Sequence, residues 1–200
     1  MEFLAACRQG DIEDARECLV RGANPNYRDE TGSTALIEAA REGHLDIMEL
    51  LLEHDVDVNV QEDIGQYTAI MAAADFGNKQ IVQLLIENKA DLSMKNVNEE
   101  TALMRASRQG HTEIVQLILK ETNGNQINMK NKHDETSLTK AAREGRKDVV
   151  RLLLDSGAHV NIKSKGKEEG WSPLVWAYAM DHTDIFKMLG RQNLFLEIFF

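Results

Sequence analysis

The chain has 200 residues, of which 42% are hydrophobic and 28% are charged, a composition typical of one or two water-soluble globular domains. It contains no run of about 18 consecutive apolar residues, and the apolar stretch near the start is too short for a signal peptide, which argues against a membrane span and against secretion. Two cysteines and a net charge of −10 argue against a disulfide framework and against nucleic acid as a partner. The sequence therefore predicts a cytoplasmic protein and leaves open a nuclear protein or one delivered into a host cell.

Charge is unevenly distributed along the chain. Residues 1–63 carry 16 acidic and 5 basic side chains, a net charge of −11. Residues 64–126 have a net charge of −1, and residues 127–200 have a net charge of +2. Because charge attracts the opposite charge over about a Debye length, the N-terminal part favours a basic partner.

Three sets of residues recur at intervals of about 33 along the chain. A glycine recurs at Gly10, Gly43, Gly77, Gly110 and Gly145. A hydroxyl residue recurs at Thr34, Thr68, Thr101, Thr136 and Ser172, and a small polar residue at Asn26, Asn59, Ser93, Asn128 and Asn161. Since all three sets recur at nearly the same interval, the sequence is a series of repeats.

Each repeat predicts two short helices in chain order. The Thr or Ser is a suitable N-cap for the first helix, and the glycine is a suitable C-cap, which predicts a helix of about eight residues over 35–42 and its equivalents. The second helix has apolar residues at helical spacing, as in Ile81, Leu84 and Leu85. Helices this short are not stable alone, so adjacent repeats must stack on one another.

Two segments, TGSTALIEAAREGHLDIMELLLEHDVDVN and DETSLTKAAREGRKDVVRLLLDSGAHVN, resemble ankyrin repeats. The resemblance covers about six repeats, at approximately 1–30, 31–63, 64–97, 98–132, 133–166 and 167–200, in a single domain. It implies an all-α helix-turn-helix solenoid with short β-turn or hairpin loops between repeats. The sequence departs from the family pattern at Glu99 and Asp134, which replace a glycine before the Thr, and at Asp181, which replaces the closing glycine.

The chain contains none of the common catalytic or phosphate-binding motifs, so we predict no enzymatic activity, no catalytic residues and no cofactor. The histidines His44, His111 and His182 occupy the same position in different repeats. In the family this histidine stabilises a turn, and repeats two layers apart are too distant to share a metal ion, so no metal site is predicted. The chain is expected to be a monomer.

The resemblance implies that the first helices and the turns between repeats form a concave surface that binds a partner protein or peptide. The candidate partner-binding residues are Glu30, Ser33, Glu38, Arg41, Glu42, Tyr67, Met71, Asp75, Phe76, Arg105, Arg108, Lys132, Lys140, Arg143, Lys163, Lys165, Lys167, Trp171 and Trp176. Tyr67, Phe76, Trp171 and Trp176 are the candidate aromatic anchors. Trp176 either contacts the partner or packs under the last repeat. Arginines two residues before the glycines either bind partner carboxylates or pair with neighbouring glutamates.

The turn between Asn161 and Ser172 is longer than its equivalents and carries Lys163, Lys165 and Lys167 beside Trp171. It is either a second contact for an acidic or phosphorylated segment or a solvated loop. The apolar C-terminus NLFLEIFF is either a hydrophobic cap or a docking surface.

Two alternative functions remain open at this point. Asn59 follows a pattern that resembles the motif of asparaginyl hydroxylase substrates, which makes it a candidate modification site. The competing interpretation is that its side chain stabilises a turn, as its equivalents would. The chain is alternatively an adaptor or effector module that a pathogen delivers into a host cell.

Overall fold

The structure is a computed structural model that describes residues 2–165 and 170–199, with side chains described as far as Gln192. The described residues form twelve helices: α1 (Glu2–Gln9), α2 (Ile12–Val20), α3 (Ala35–Glu42), α4 (Leu45–Leu52), α5 (Ala69–Phe76), α6 (Lys79–Glu87), α7 (Ala102–Gln109), α8 (Thr112–Glu121), α9 (Ser137–Arg143), α10 (Lys147–Asp155), α11 (Pro173–Ala179) and α12 (Thr183–Phe199). The only β pairing within these residues is an isolated bridge between Arg28 and Thr34. The predicted all-α helix-turn-helix fold is confirmed.

The chain divides into two compact units, Met1–Val97 and Asn98–Phe200. In the first unit α1, α3 and α5 pack side by side as one layer, and α2, α4 and α6 pack as a second layer. In the second unit α7, α9 and α11 form one layer, and α8, α10 and α12 form the other. Each unit is therefore a stack of three helix pairs, and a single domain for the whole chain stays a prediction.

The predicted caps of the first helices are confirmed. The hydroxyl oxygen of Thr34 accepts a hydrogen bond from the backbone N–H of Ile37, and the equivalent residues in the later repeats cap α5, α7, α9 and α11 in the same way. Gly43 ends α3 in the left-handed conformation with φ of 88°. Helix α9 ends one residue earlier, at Arg143, with Glu144 as its C-cap, and Gly145 follows with φ of 73°.

The departures from the family pattern keep the same backbone conformation without a glycine. Glu99 has φ of 57°, Asp134 has φ of 56° and Asp181 has φ of 58°. Residues with a Cβ are uncommon at such angles. The turns are therefore set by the repeat as a whole and not by the glycine alone.

The residues that precede α4, α6, α10 and α12 each bind the preceding repeat. His44 Nε2 lies 3.1 Å from the carbonyl oxygen of Arg8, and His182 Nε2 lies 3.0 Å from that of Arg143. Asn78 Nδ2 donates to the carbonyl oxygen of Ala40 at 2.9 Å. These bonds satisfy carbonyl groups at the ends of the first helices, which have no partner within the helix. The structural role predicted for His44 and His182 is thus confirmed.

The core lies between the helix layers and is formed mainly by the first helices and one face of the second helices. Ile81 and Leu85 of α6 are buried, but Leu84 is only half-buried. The apolar spacing predicted the helix correctly but did not distinguish the buried Leu85 from the half-buried Leu84. Cys7 and Cys18 are free thiols. The pKa of Cys7 is raised to about 12, mainly because this thiol is buried and to a lesser degree because of the charge on Cys18.

Candidate functional site

A side chain just before each of α3, α7, α9 and α11 contacts the residue five positions later. These turn–helix pairs occupy the two positions that form a hydrophobic staple in other helices. The contacts are Ser33 Oγ to Glu38 Oε1 at 2.7 Å, Arg105 Nη1 to Glu100 Oε2 at 2.9 Å, Lys140 Nζ to Glu135 Oε2 at 3.0 Å, and Trp171 to Trp176 with ring centroids 4.6 Å apart. The same two positions therefore hold a polar pair in one repeat, a charged pair in two others and an aromatic pair in the last.

In the first unit, Glu38 is the centre of a charge cluster. Its carboxylate accepts hydrogen bonds from Ser33, from Arg8 Nε at 2.9 Å and from Arg41 Nη1 at 2.8 Å. Arg41 also reaches Glu62 at 3.0 Å. Burial alone would raise the pKa of Glu38, but the Ser33 hydrogen bond and the charges of Arg41 and Arg8 outweigh it and lower the pKa below its usual value.

In the second unit, Lys140 joins two turn–helix pairs. Its ammonium lies 2.5 Å from Glu100 Oε1 and 3.0 Å from Glu135 Oε2, and its side chain is 4% exposed. Arg143 Nη1 binds the other oxygen of Glu135 at 2.5 Å. Burial opposes ionisation of Glu100 and Glu135, but the cations hold both pKa values below the usual one. Both carboxylates are therefore charged at neutral pH.

Five of the candidate partner-binding residues are buried: Ser33, Glu38, Met71, Arg105 and Lys140. The three charged ones are engaged in the bonds just described, which hold adjacent segments of the repeats together. Their contact with a partner stays a prediction, and the structure gives them an internal structural role.

The arginines two residues before the glycines pair with carboxylates of the chain itself. Arg41 binds Glu62, Arg108 Nε lies 3.7 Å from Glu144, and Arg143 binds both Glu135 and Glu144. The structure thus contains the predicted pairing with glutamates, and binding of partner carboxylates stays a prediction.

The aromatic turn–helix pair and a nearby arginine form what we call the tryptophan cluster, Trp171, Trp176 and Arg143. The two rings meet edge to face at an angle of 61°, and the guanidinium carbon of Arg143 lies 5.3 Å from the centre of the Trp176 ring. Trp176 Nε1 donates to Ser164 Oγ at 3.2 Å. Trp176 is half-buried, whereas Trp171 is 43% exposed. Trp176 thus packs against the Trp171 ring, which is exposed to solvent.

The lysine-bearing turn lies against the turn of the preceding repeat. Lys165 Nζ is 3.4 Å from Asp134 Oδ2 and 3.3 Å from the carbonyl oxygen of Lys132. Lys132 and Lys163 are exposed. Lys167 lies outside the described residues. The Ser164 backbone N–H and hydroxyl each donate to the carbonyl oxygen of Trp171 at 3.0 Å, which fixes the position of this tryptophan.

The other candidate residues of the first unit differ in exposure. Glu30, Glu42 and Phe76 are exposed, and Phe76 is 58% exposed. Tyr67 and Asp75 are half-buried.

Asn59 is half-buried and bonded within the chain. Its Oδ1 accepts a hydrogen bond from the backbone N–H of Asp91 at 2.7 Å, one repeat later. Asn26 and Asn128 make the equivalent bonds to Asp57 and His159. The structural role of these asparagines is confirmed, and modification of Asn59 stays a prediction.

Within residues 2–165 and 170–199 there is no group of three or more His, Cys, Asp or Glu side chains that could hold a metal ion. No helix in the same part of the chain has the length and hydropathy needed to cross a membrane.

Sequence comparison finds relatives that share only short regions with this chain. Serine/threonine-protein kinase 12 of Arabidopsis thaliana is 35% identical over 65 residues, which is 32% of this chain but only 14% of the kinase. Two proteins of Rickettsia felis named as ankyrin repeat proteins are each 41% identical over 49 residues, which is 24% of this chain and 78% and 74% of theirs. The family described as ankyrin repeats (3 copies) matches residues 3–96 and 103–196. The chain is therefore a member of the ankyrin repeat family.

Proposed function

We propose that this chain binds a partner protein or peptide through the tryptophan cluster and the lysine-bearing turn, and that the bound segment is acidic or phosphorylated. Ankyrin repeats are in general protein–protein interaction modules, and the family is typically non-catalytic. The observation that carries the proposal is the exposed Trp171 ring, held in place by Trp176 and Ser164.

Trp171 suits an interface anchor because its position is fixed before binding. The edge-to-face contact with Trp176 and the hydrogen bonds to the Trp171 carbonyl limit its freedom in the unbound chain. Binding then costs little side-chain entropy, and aromatic side chains of this kind dominate interface energies.

Positive charge around Trp171 comes from the lysines and not from Arg143. The guanidinium of Arg143 is already paired with Glu135 and Glu144. Lys132 and Lys163 are exposed. Lys165 forms an ion pair with Asp134, with Nζ 3.4 Å from Oδ2. An acidic or phosphorylated segment would meet these cations at the rim of an aromatic centre.

Replacing Trp171 with alanine should weaken partner binding by about 2 kcal/mol or more, whereas Lys163→Ala should cost less than about 1 kcal/mol because rim charges are screened. A displayed random-peptide library selected on the native chain, and counter-selected on Trp171→Ala, supplies the ligand. Calorimetric titration of the enriched peptide then gives the affinities of both variants.

Tyr27→Ala is the matched control because Tyr27 is 44% exposed, close to the 43% of Trp171, and is not among the candidate partner-binding residues. It should leave the affinity unchanged. Enriched peptides without acidic residues would contradict the proposed charge of the partner, and equal affinities of the native chain and Trp171→Ala would contradict the site.

The acidic N-terminal part supports a second proposal, that a basic segment is attracted to residues 1–63. Reversing both exposed residues Glu30 and Glu42 to lysine should slow association with a basic partner peptide severalfold at low salt, and less at high salt. Stopped-flow association rates at several salt concentrations would measure this. Glu38 is excluded from the test since it is buried in ion pairs. Rates that respond to neither salt nor charge reversal would show that the acidic residues do not steer binding.

A further inference from the structure

An apolar surface lies on α11 and α12, formed by Val175, Tyr178 and Phe186. These side chains are 40%, 74% and 38% exposed. The rings of Tyr178 and Phe186 are in contact, with centroids 5.7 Å apart. We call these three residues the α11–α12 apolar face. Contiguous exposed apolar side chains of this kind are typical of interaction sites.

All three residues occupy positions that are buried in earlier repeats. The equivalents of Val175 are Ile37, Met71, Met104 and Thr139, and the equivalents of Phe186 are Met48, Val82, Val115 and Val150. All eight equivalents are buried. The register therefore identifies the α11–α12 apolar face as a packing surface.

Tyr178 shows that a regular repeat is not what covers this surface. Its equivalents are Ala40, Ala74, Ser107 and Ala142, all small and fully buried. Small side chains at this position let neighbouring helices approach to about 8–10 Å. A tyrosine that is 74% exposed would hold the next helix away at that distance. The cover must instead provide a space for the phenol ring.

Such a space is present on the same surface. A cavity of about 310 Å³ lies beside Tyr178 and is lined by Ala177, Tyr178, Asp181, Thr183, Phe186 and Lys187. The projecting ring, the cavity and two opposite charges, Asp181 and Lys187, are thus close together.

We infer that the α11–α12 apolar face binds a second copy of this chain in a two-fold symmetric dimer. A two-fold interface uses the same patch on both subunits, so Tyr178 of each copy enters the cavity of the other. At the rim, Asp181 of each copy faces Lys187 of the other. The apolar centre and the charged rim match the usual organisation of protein interfaces. This dimer would replace the monomer that we expect from the sequence.

The same chain offers less suitable surfaces for a head-to-tail arrangement. Helix α2 carries the exposed charged residues Glu13, Asp14 and Glu17. Packing these side chains against Tyr178 and Phe186 would remove their charges from water without compensation. The symmetric arrangement avoids this cost.

Sedimentation velocity of the chain over a roughly hundredfold range of concentration tests the dimer, because association follows mass action. The native chain should shift from monomer to dimer. Tyr178→Lys should raise the dissociation constant at least about tenfold by placing a charge in the apolar centre. Phe76→Lys is the matched control, since it changes an exposed aromatic residue elsewhere, and should leave the constant unchanged. A native chain that remains monomeric throughout would overturn the inference.

A charge exchange tests the two-fold geometry separately. Asp181→Lys alone and Lys187→Asp alone place like charges opposite each other, so each should weaken the dimer severalfold. The double variant should restore it. Position 181 tolerates lysine, since Lys89 adopts a φ of 64° in this chain and Asp181 has 58°. Additive weakening in the double variant would overturn the proposed pairing.

Discussion

Replacing Lys140 with methionine should lower the free energy of unfolding by about 3–5 kcal/mol. The ammonium of Lys140 lies between Glu100 and Glu135, and all three side chains are buried. Methionine retains much of the apolar stem but leaves two carboxylates with less compensating charge, in a place where water does not reach them. Urea unfolding at neutral pH, followed by circular dichroism, would measure the loss.

The control for this experiment separates charge from packing. Lys132→Met removes an exposed lysine from the same unit and should cost little. Adding Glu135→Gln to Lys140→Met should recover part of the lost stability, because one buried negative charge is gone and Arg143, its other partner, is partly exposed and still pairs with Glu144. A double variant as unstable as the single one would mean that the loss comes from packing.

The dependence on pH follows from the direction of the pKa shifts. The pKa values of Glu100 and Glu135 lie below the usual value of 4.5 in the folded chain. Their ion pairs therefore stabilise the fold fully above that value, and this contribution is lost as the pH falls through the folded pKa. The difference between the native chain and Lys140→Met should accordingly be largest at neutral pH and shrink in acid.

Local signals in the sequence were sufficient to predict the helices. Thr34 and its equivalents cap the first helices through their own hydroxyl groups, and Gly43 ends α3 at a φ of 88°. Both effects depend on a few adjacent residues, so one sequence reveals them. The conformation of Asp181 was less predictable, because the surrounding repeat imposes it.

The charge clusters could not be predicted in the same way. Glu38, Arg105 and Lys140 share one helix position, which the resemblance places on the binding surface. Their burial depends on contacts with other repeats, such as the one between Lys140 and Glu100, 40 positions apart. One signal was available in the sequence: Glu100 and Glu135 precede Arg105 and Lys140 by five residues, the spacing of a helix staple. An acid and a base at that spacing indicate a pair that is satisfied internally.

The tryptophan cluster was predicted in part. Trp171 and Trp176 were recognised as candidate anchors, and the same five-residue spacing could have paired them. The position of Arg143 over the Trp176 ring comes from the packing of α9 against α11, which no local pattern encodes.

Replacing Leu85 with alanine should lower the free energy of unfolding by about 2–5 kcal/mol, because it opens a cavity between the helix layers. Leu85 is 0% exposed on α6, which packs on α5 and α4. Leu84→Ala is the matched control, with the same change of side chain in the same helix, and should cost less because Leu84 is only half-buried. Since each repeat contacts only its neighbours, hydrogen exchange should show the loss of protection concentrated in α4, α5 and α6. Equal losses of stability for the two variants would mean that burial of this position does not govern the stacking of the repeats.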